Sequence, residues 1–221
     1  MRGTAEVVDH DLGAFTGEGQ RMLAPDPSSG SGDDDDAPLA DSTHMRRLAR
    51  IVDINPGPRV LFVCTGNATR SVIGAALLRQ SRPDWSIDSA GTFAIPGLPS
   101  SVRTLAALES VGVSAPGHRS TTLNAAHLED SDLVIGFELD HVRYIRRRYP
   151  HAADRTATLR RLVEHDVVPW HLPRGLEEEP LESWMVTEDP AGGDIDVFTE
   201  CARSIADDMA LLMPRLLTWT P

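Results

Sequence analysis

The sequence contains no lysine, so all 21 of its basic residues are arginines, and 33 acidic residues outnumber them to give a net charge of −12. General nucleic-acid binding needs an excess of cations that neutralise phosphates. This charge balance therefore argues against a nucleic-acid partner, although it is compatible with a local positive pocket.

Cysteines and long apolar runs are scarce as well. Two cysteines in 221 residues do not make a disulfide scaffold, and they favour a reducing, cytoplasmic setting. No apolar run approaches the roughly 18 residues that a membrane helix needs. Residues 1–20 lack the basic start and the apolar stretch of a secretory signal. We therefore expect neither a membrane span nor a secretory signal.

The negative charge is concentrated at the N-terminus. Residues 1–44 hold ten acidic residues and two arginines, and they include four consecutive aspartates after a stretch rich in Pro, Ser and Gly. This composition predicts a disordered acidic tail, in which the aspartates are solvated rather than bound to a metal. We expect residues 45–57 to form a linker or short helix, and residues 58–221 to form one globular domain.

Strands and helices are predicted to alternate from residue 58 onwards. Residues 60–64 are a continuous apolar run, typical of a buried parallel strand, and turn-forming residues follow. Further strands are predicted at residues 86–91, 132–137 and 156–159. Helices are predicted between the strands and at the C-terminus, including one at residues 99–111 with Val102, Leu105, Leu108 and Val111 on its apolar face. This alternation is typical of an α/β domain with a parallel sheet.

The sharpest chemical feature is the segment from Cys64 to Ser71, which has the pattern Cys-x5-Arg-Ser. A loop between a buried strand and a helix gathers backbone N–H groups around an anion, and the helix dipole adds partial positive charge. The same field favours the thiolate form of a cysteine, which is its nucleophilic form. Arg70 can add a planar fork that fits two phosphate oxygens. The segment therefore indicates a nucleophile directed at phosphorus.

Local features of this loop support that interpretation. Gly66 can take the backbone angles of a tight loop, and Ser71 can cap the following helix while its hydroxyl hydrogen-bonds Cys64. The alternative is a core cysteine, because an isolated cysteine that ends a strand is usually buried for packing. The preceding strand, the Gly66-Asn67 pair and the following helix favour the functional interpretation.

The segment from Val60 to Ser71 resembles the N-terminal signature of the low-molecular-weight protein tyrosine phosphatases. Five further segments resemble motifs of this family, in the family's order. They are Asp88-Ser89-Ala90-Gly91-Thr92, Gly117-His118-Arg119-Ser120, Ser131-Asp132-Leu133-Val134-Ile135, Thr158-Leu159-Arg160-Arg161-Leu162 and Asp189-Pro190. The resemblance covers about residues 58–217, and it implies a three-layer domain with a four-stranded parallel sheet flanked by helices.

The resemblance also implies a role for each matching residue. Cys64 is the expected nucleophile, Arg70 binds the phosphoryl group and Asp189 is the general acid. The expected phosphate-binding residues are Thr65, Gly66, Asn67, Ala68, Thr69 and Arg70. The expected supporting residues are Ser71, Ser89 and His118. This chemistry needs no metal or other cofactor, and His165 and His171 are interpreted as surface residues because no zinc-spaced cluster surrounds them.

Several positions depart from the family pattern. Most members carry a second cysteine where this chain has Thr69, so a protective disulfide within the loop is excluded. Ala68 stands where isoleucine is frequent, and Ala191 and Gly192 replace the aromatic residues usual after Asp-Pro. The loop after the second strand offers Phe93 but no Trp or Tyr. These changes predict thin aromatic walls and weaken the expectation of phosphotyrosine selectivity.

The sequence thus predicts a phosphomonoester hydrolase, most similar to protein tyrosine phosphatases, that forms a cysteinyl-phosphate intermediate. Its expected partner is a phosphorylated protein or a small aryl phosphate, with no nucleic acid and no membrane. Two alternatives are an inactive phosphate-binding module and a thiol-dependent arsenate reductase, because arsenate fits the same cradle. The reductase would need an external thiol, since Cys201 lies on the apolar stripe of the last helix and is interpreted as a core residue.

Overall fold

The computed structural model describes residues 57–164, 168–172 and 180–218. The expectations for the acidic tail, for residues 45–56 and for His165 lie outside the described residues. No helix in the described ranges is both long enough and apolar enough to pass through a membrane.

The centre of the fold is a four-stranded parallel sheet with the strand order β2-β1-β3-β4. The strands are β1 (Arg59–Cys64), β2 (Ser86–Gly91), β3 (Leu133–Gly136) and β4 (Thr156–Thr158). β1 lies between β2 and β3, with Cys64 opposite Gly91 and Val63 opposite Gly136. Its apolar run is buried on both sides, as a central parallel strand requires. The prediction of a four-stranded parallel sheet is confirmed.

Helices cover both faces of the sheet. They are α1 (Arg70–Ser81), α2 (Val102–Ser110), α3 (Ala125–Glu129), α4 (Leu139–Arg148), α5 (Leu159–Val163) and α6 (Ile195–Leu216), with short 3₁₀ helices at Pro150–Arg155 and Ser183–Met185. One face, around Phe62 of β1, packs against α1, α2, α5 and α6. The other face, around Leu61 and Val63, packs against α3 and α4. The result is the expected three-layer α/β domain.

Helix α2 differs from the sequence-based expectation in the face that it buries. Val102 and Leu105 are 75% and 51% exposed, whereas Thr104, Ala107 and Leu108 are buried. The prediction of an inward apolar stripe that includes Val102 and Leu105 is wrong. Thr104 lies on the buried side of the helix together with Ala107 and Leu108, and its hydroxyl is 3.0 Å from another buried hydroxyl, that of Thr69.

Candidate active site

The phosphate loop, residues 64–70, joins the carboxyl end of β1 to the N-terminus of α1. Its carbonyl oxygens accept hydrogen bonds from the segment after β2: Thr92 N donates to Cys64 O, and Phe93 N donates to Thr65 O, both at 2.9 Å. A Cβ atom at Gly91 would lie 2.6 Å from Thr65 O and 2.7 Å from Asn67 N. The loop therefore packs so closely on the end of β2 that a glycine is required there.

Asn67 holds the loop in its shape. It has φ +50°, and among the described residues it is the one non-glycine residue with positive φ. Asparagine tolerates this conformation better than most residues. Its Nδ2 donates to Ser71 Oγ at 3.0 Å and to Ser89 Oγ at 2.9 Å, while its Oδ1 accepts from Thr121 N at 2.8 Å and Thr121 Oγ1 at 3.3 Å. Its carbonyl accepts from His118 Nε2 at 2.8 Å. The contacts expected of Ser89 and His118 are therefore present.

The positive φ corrects one sequence-based expectation. The sequence indicates that Gly66 can take the backbone angles of a tight loop, but Gly66 is not among the residues with positive φ. Asn67 takes this conformation instead, because its side chain can hydrogen-bond both sides of the turn.

Cys64 and Ser71 are in direct contact. Cys64 Sγ lies 3.0 Å from Ser71 Oγ, and both residues are buried. Ser71 Oγ also accepts from Asn67 Nδ2, and its hydroxyl hydrogen can still point to Cys64 Sγ. The predicted hydrogen bond is thus observed. The predicted capping role of Ser71 is wrong, since α1 begins at Arg70 and Thr69 occupies the N-cap position without a side-chain cap.

Arg70 brings the phosphate loop and Asp189 together. Its side chain is 2% exposed, and its NH2 group lies 2.7 Å from Asp189 Oδ2. Its NH1 group lies 2.9 Å from Glu138 Oε1 and donates to Thr187 O at 3.0 Å. Two carboxylates and a carbonyl oxygen, all at hydrogen-bonding distance, therefore fix the orientation of this guanidinium.

His141 links Glu138 to the phosphate loop. Its Nδ1 accepts from Phe137 N at 3.2 Å and from Glu138 N at 3.0 Å, so the proton of the neutral ring resides on Nε2. Nε2 lies 3.0 Å from Thr65 Oγ1 and 3.3 Å from Glu138 Oε2. Burial, reinforced by the positive charge of Arg70, lowers the pKa of His141 to about 3. The ring is therefore a neutral donor that fixes the Thr65 hydroxyl.

Sequence reasoning missed Glu138 and His141, although a general rule points to both. Glu138 follows β3, a direct neighbour of β1, at the carboxyl edge of the sheet. Sites in open parallel sheets form at this edge. His141 lies one turn further along α4, on the same side as Glu138, because residues three apart share a helix face.

Comparison with known proteins identifies the family. The family described as "Low molecular weight phosphotyrosine protein phosphatase" matches residues 59–218. The chain belongs to this family. It is 34% identical over 159 residues to the protein-arginine-phosphatase of Geobacillus stearothermophilus, covering 72% of this chain and 93% of that protein. It is 30% identical over 110 residues to the low molecular weight protein-tyrosine-phosphatase Etp of Escherichia coli K12, covering 50% of this chain and 74% of that protein.

The solved structures agree with this assignment. The YwlE arginine phosphatase from Geobacillus stearothermophilus superposes with a TM-score of 0.61 at 31% identity, covering 73% of this chain and 94% of that one. A low molecular weight protein tyrosine phosphatase from T. tengcongensis gives a TM-score of 0.60 at 29% identity, covering 72% of this chain and 99% of that one. The chain is therefore a phosphatase, and its sheet and flanking helices are those of the low-molecular-weight family.

Three departures from the family pattern can be located in this phosphatase. Ala68 is exposed on the phosphate loop, while Thr69 is buried and its Oγ1 lies 3.0 Å from Thr104 Oγ1. Phe93 is 73% exposed, and its ring meets the ring of Tyr144 edge-on at 5.6 Å. The aromatic surface beside the loop is therefore larger than the sequence suggested, because α4 contributes a tyrosine from far along the chain.

Cys201 lies in the core, as expected. It is 9% exposed, and its Sγ lies 3.7 Å from Glu188 O, just before Asp189. Burial raises the pKa of its thiol to about 11, and this effect outweighs the opposing positive charge of Arg70. This environment keeps the thiol protonated and makes Cys201 a poor nucleophile. In the described ranges, no group of three or more His, Cys, Asp or Glu side chains could hold a metal ion.

Proposed function

We propose that this phosphatase removes phosphoryl groups from protein side chains through a covalent cysteinyl-phosphate at Cys64. The observation that carries the proposal is the buried contact of 3.0 Å between Cys64 Sγ and Ser71 Oγ at the base of the phosphate loop. A hydroxyl that donates to sulfur stabilises the thiolate, which is the attacking form.

The loop is suited to binding a phosphoryl group. The carbonyl oxygens of Cys64, Thr65 and Asn67 accept hydrogen bonds from surrounding segments. Loop N–H groups can then face the opposite side and bind the phosphoryl oxygens, together with Arg70 and the dipole of α1. In this structure the Asp189 carboxylate forms an ion pair with Arg70 NH2. A bound phosphoryl group competes for that guanidinium and releases the Asp189 carboxyl towards the leaving group.

The reaction then proceeds in two steps, formation of the cysteinyl-phosphate and its hydrolysis. The thiolate of Cys64 attacks phosphorus, the bond from phosphorus to the leaving atom breaks, and Asp189 donates a proton to that atom. A water molecule next attacks the phosphorus of the intermediate, giving its proton to Asp189. The S–P bond breaks, inorganic phosphate leaves and the thiolate is restored.

Phosphotyrosine is the first candidate substrate, following the family. The exposed ring of Phe93, supported by Tyr144, offers a surface on which a phenol ring can pack. Phosphoarginine is the second candidate. The Geobacillus relative carries that activity in its name, and the carboxylates of Glu138 and Asp189 beside Arg70 suit a guanidinium leaving group.

A paired assay tests the mechanism and separates the two substrates. Phosphate release is measured from two peptides of the same sequence that differ only in carrying phosphotyrosine or phosphoarginine. For the preferred peptide, we expect Asp189→Asn to lower kcat by roughly 10²–10⁴, the usual effect of removing a general acid. Full activity of that variant would exclude Asp189 as the acid.

Glu138→Gln distinguishes the two substrates in the same assay. If Glu138 pairs with a leaving guanidinium, the substitution lowers kcat/KM for the phosphoarginine peptide more than for the phosphotyrosine peptide. An equal change for both peptides would mean that Glu138 acts only through Arg70.

A further inference from the structure

The first turn of α2 contacts both halves of the candidate active site. Thr104 Oγ1 lies 3.0 Å from Thr69 Oγ1 in the phosphate loop, and both side chains are buried. The preceding residue, Arg103, donates from its NH1 group to the carbonyl of Gly193, four residues after Asp189. Ser101 caps this turn, accepting from Thr104 N at 3.1 Å. Two adjacent side chains of one capped helix turn thus reach the nucleophile loop and the segment of the expected acid.

The acid turn, residues 189–193, is closed on itself. Gly193 N donates to Pro190 O at 2.9 Å, and Gly192 supplies the positive φ of +85° that such a turn needs at its third position. Asp189 Oδ1 accepts from Ala191 N at 3.1 Å. Asp189 and the carbonyl of Gly193 therefore stand at the two ends of one short hydrogen-bonded unit, so fixing one end restrains the other.

Arg103 is fixed by a second contact. Its guanidinium carbon lies 4.8 Å from the centroid of the Phe198 ring, which is buried in the first turns of α6. A guanidinium over an aromatic face gains a cation–π interaction and loses rotational freedom. Gly193 is itself tight against α6, since a Cβ there would lie 2.6 Å from Val197 Cβ. Arg103 thus joins α2, the acid turn and α6.

We propose that Arg103 is a positioning residue for the general acid, holding the acid turn at a set distance from the phosphate loop. The proposal rests on the role proposed above for Asp189. Arg103 itself makes no hydrogen bond or ion pair with Asp189 or with the phosphate loop. It acts through the Gly193 carbonyl, while its neighbour Thr104 holds the phosphate loop to the same helix turn.

The test uses Arg103→Met, which keeps a long side chain but removes the donor and the charge. The substrates are aryl phosphates whose leaving phenols differ in pKa, and kcat/KM reports the step in which the leaving group departs. A phenol of high pKa is a poor leaving group, so the rate of its departure depends on protonation by the general acid. A phenol of low pKa leaves readily without that proton. We expect a loss of about 3–10-fold for phenyl phosphate, in line with one hydrogen bond from a charged donor near the surface, and little change for p-nitrophenyl phosphate.

Two controls accompany this variant. Arg103→Lys retains a charge and an N–H donor, so it recovers part of the lost activity. Arg203→Met removes an exposed arginine that pairs with Glu200 on α6, and it leaves the leaving-group series unchanged. The inhibition constant for inorganic phosphate stays at the wild-type value in Arg103→Met, because Arg70 and the phosphate loop are intact.

A double variant separates this inference from the proposed function. If Arg103 acts through Asp189, Arg103→Met has no further effect on phenyl phosphate in an Asp189→Asn background. Equal losses for all leaving groups, or full additivity with Asp189→Asn, would overturn the positioning role. If Asp189→Asn itself leaves the leaving-group series unchanged, the proposed acid is wrong and the failure lies with the proposed function.

Discussion

Replacing Asn67 tests how the phosphate loop keeps its shape. The buried side chain makes four hydrogen bonds, two donated by Nδ2 and two accepted by Oδ1. A net hydrogen bond is worth about 0.5–1.5 kcal/mol. Thr121 is exposed and can be rehydrated, so the Ser71 and Ser89 bonds count most. We estimate a loss of about 2–3 kcal/mol in the free energy of unfolding for the hydrogen bonds alone.

The backbone adds a second contribution that depends on the new residue. Alanine at φ +50° pays about 1–2 kcal/mol for the left-handed conformation, whereas glycine does not. Asn67→Ala should therefore cost about 3–5 kcal/mol, and Asn67→Gly about 1–2 kcal/mol less. Both variants should lose phosphatase activity, because the Asn67 donor no longer fixes the orientation of the Ser71 hydroxyl that contacts Cys64.

Urea unfolding of the wild type and the two variants measures these differences, with turnover of an aryl phosphate measured in parallel. Asn67→Asp is the matched control, since it keeps the Thr121 bonds and loses the donors to Ser71 and Ser89. A cost below about 1 kcal/mol for Asn67→Ala, or equal stability of the alanine and glycine variants, would refute this account of the loop.

Three further perturbations probe the surroundings of the loop. Gly91→Ala should cost about 1–3 kcal/mol of stability by overpacking against Thr65 O, and Gly66→Ala should cost less because the nearest atom to its added Cβ lies at 3.9 Å; urea titration of both variants decides this. The folded pKa of His141 is about 3 against an ordinary 6.5, so the unfolded chain binds the extra proton between these values. The contribution of His141 to the free energy of unfolding should then fall by up to about 1.4 kcal/mol per pH unit as the pH drops below 6.5, and His141→Asn should remove this contribution. Peroxide inactivation of the wild type should resist reversal by dithiothreitol, whereas Thr69→Cys should recover activity through a disulfide with Cys64; equal recovery of both proteins would contradict this.

The parts predicted well from the sequence are those whose signals are local. β1 could be predicted because its apolar residues are consecutive, and the phosphate loop because strand, turn and helix follow one another within a dozen residues. The family resemblance assigned Arg70 and Asp189 to one site, and the structure places their side chains 2.7 Å apart. The role of Asp189 as the general acid stays a prediction.

The parts that escaped prediction depend on contacts between distant segments. The apolar spacing of α2 pointed to Val102 and Leu105, but both residues face outward, while Thr104 of the same helix is buried against Thr69. No local motif marks His141, because its role depends on a contact with Thr65. Thr65 follows β1, whereas His141 lies in α4, after β3. Such side-chain pairs become visible only once the sheet order brings β1 beside β3.

The central claim is that Cys64 is the nucleophile of a metal-independent phosphatase. The most direct measurement is hydrolysis of an aryl phosphate near pH 6 in the presence of a chelator, with wild type and Cys64→Ser compared at equal concentration. The account predicts turnover by the wild type and none by the variant. Turnover by Cys64→Ser at the wild-type rate, or loss of wild-type turnover on chelation, would contradict it.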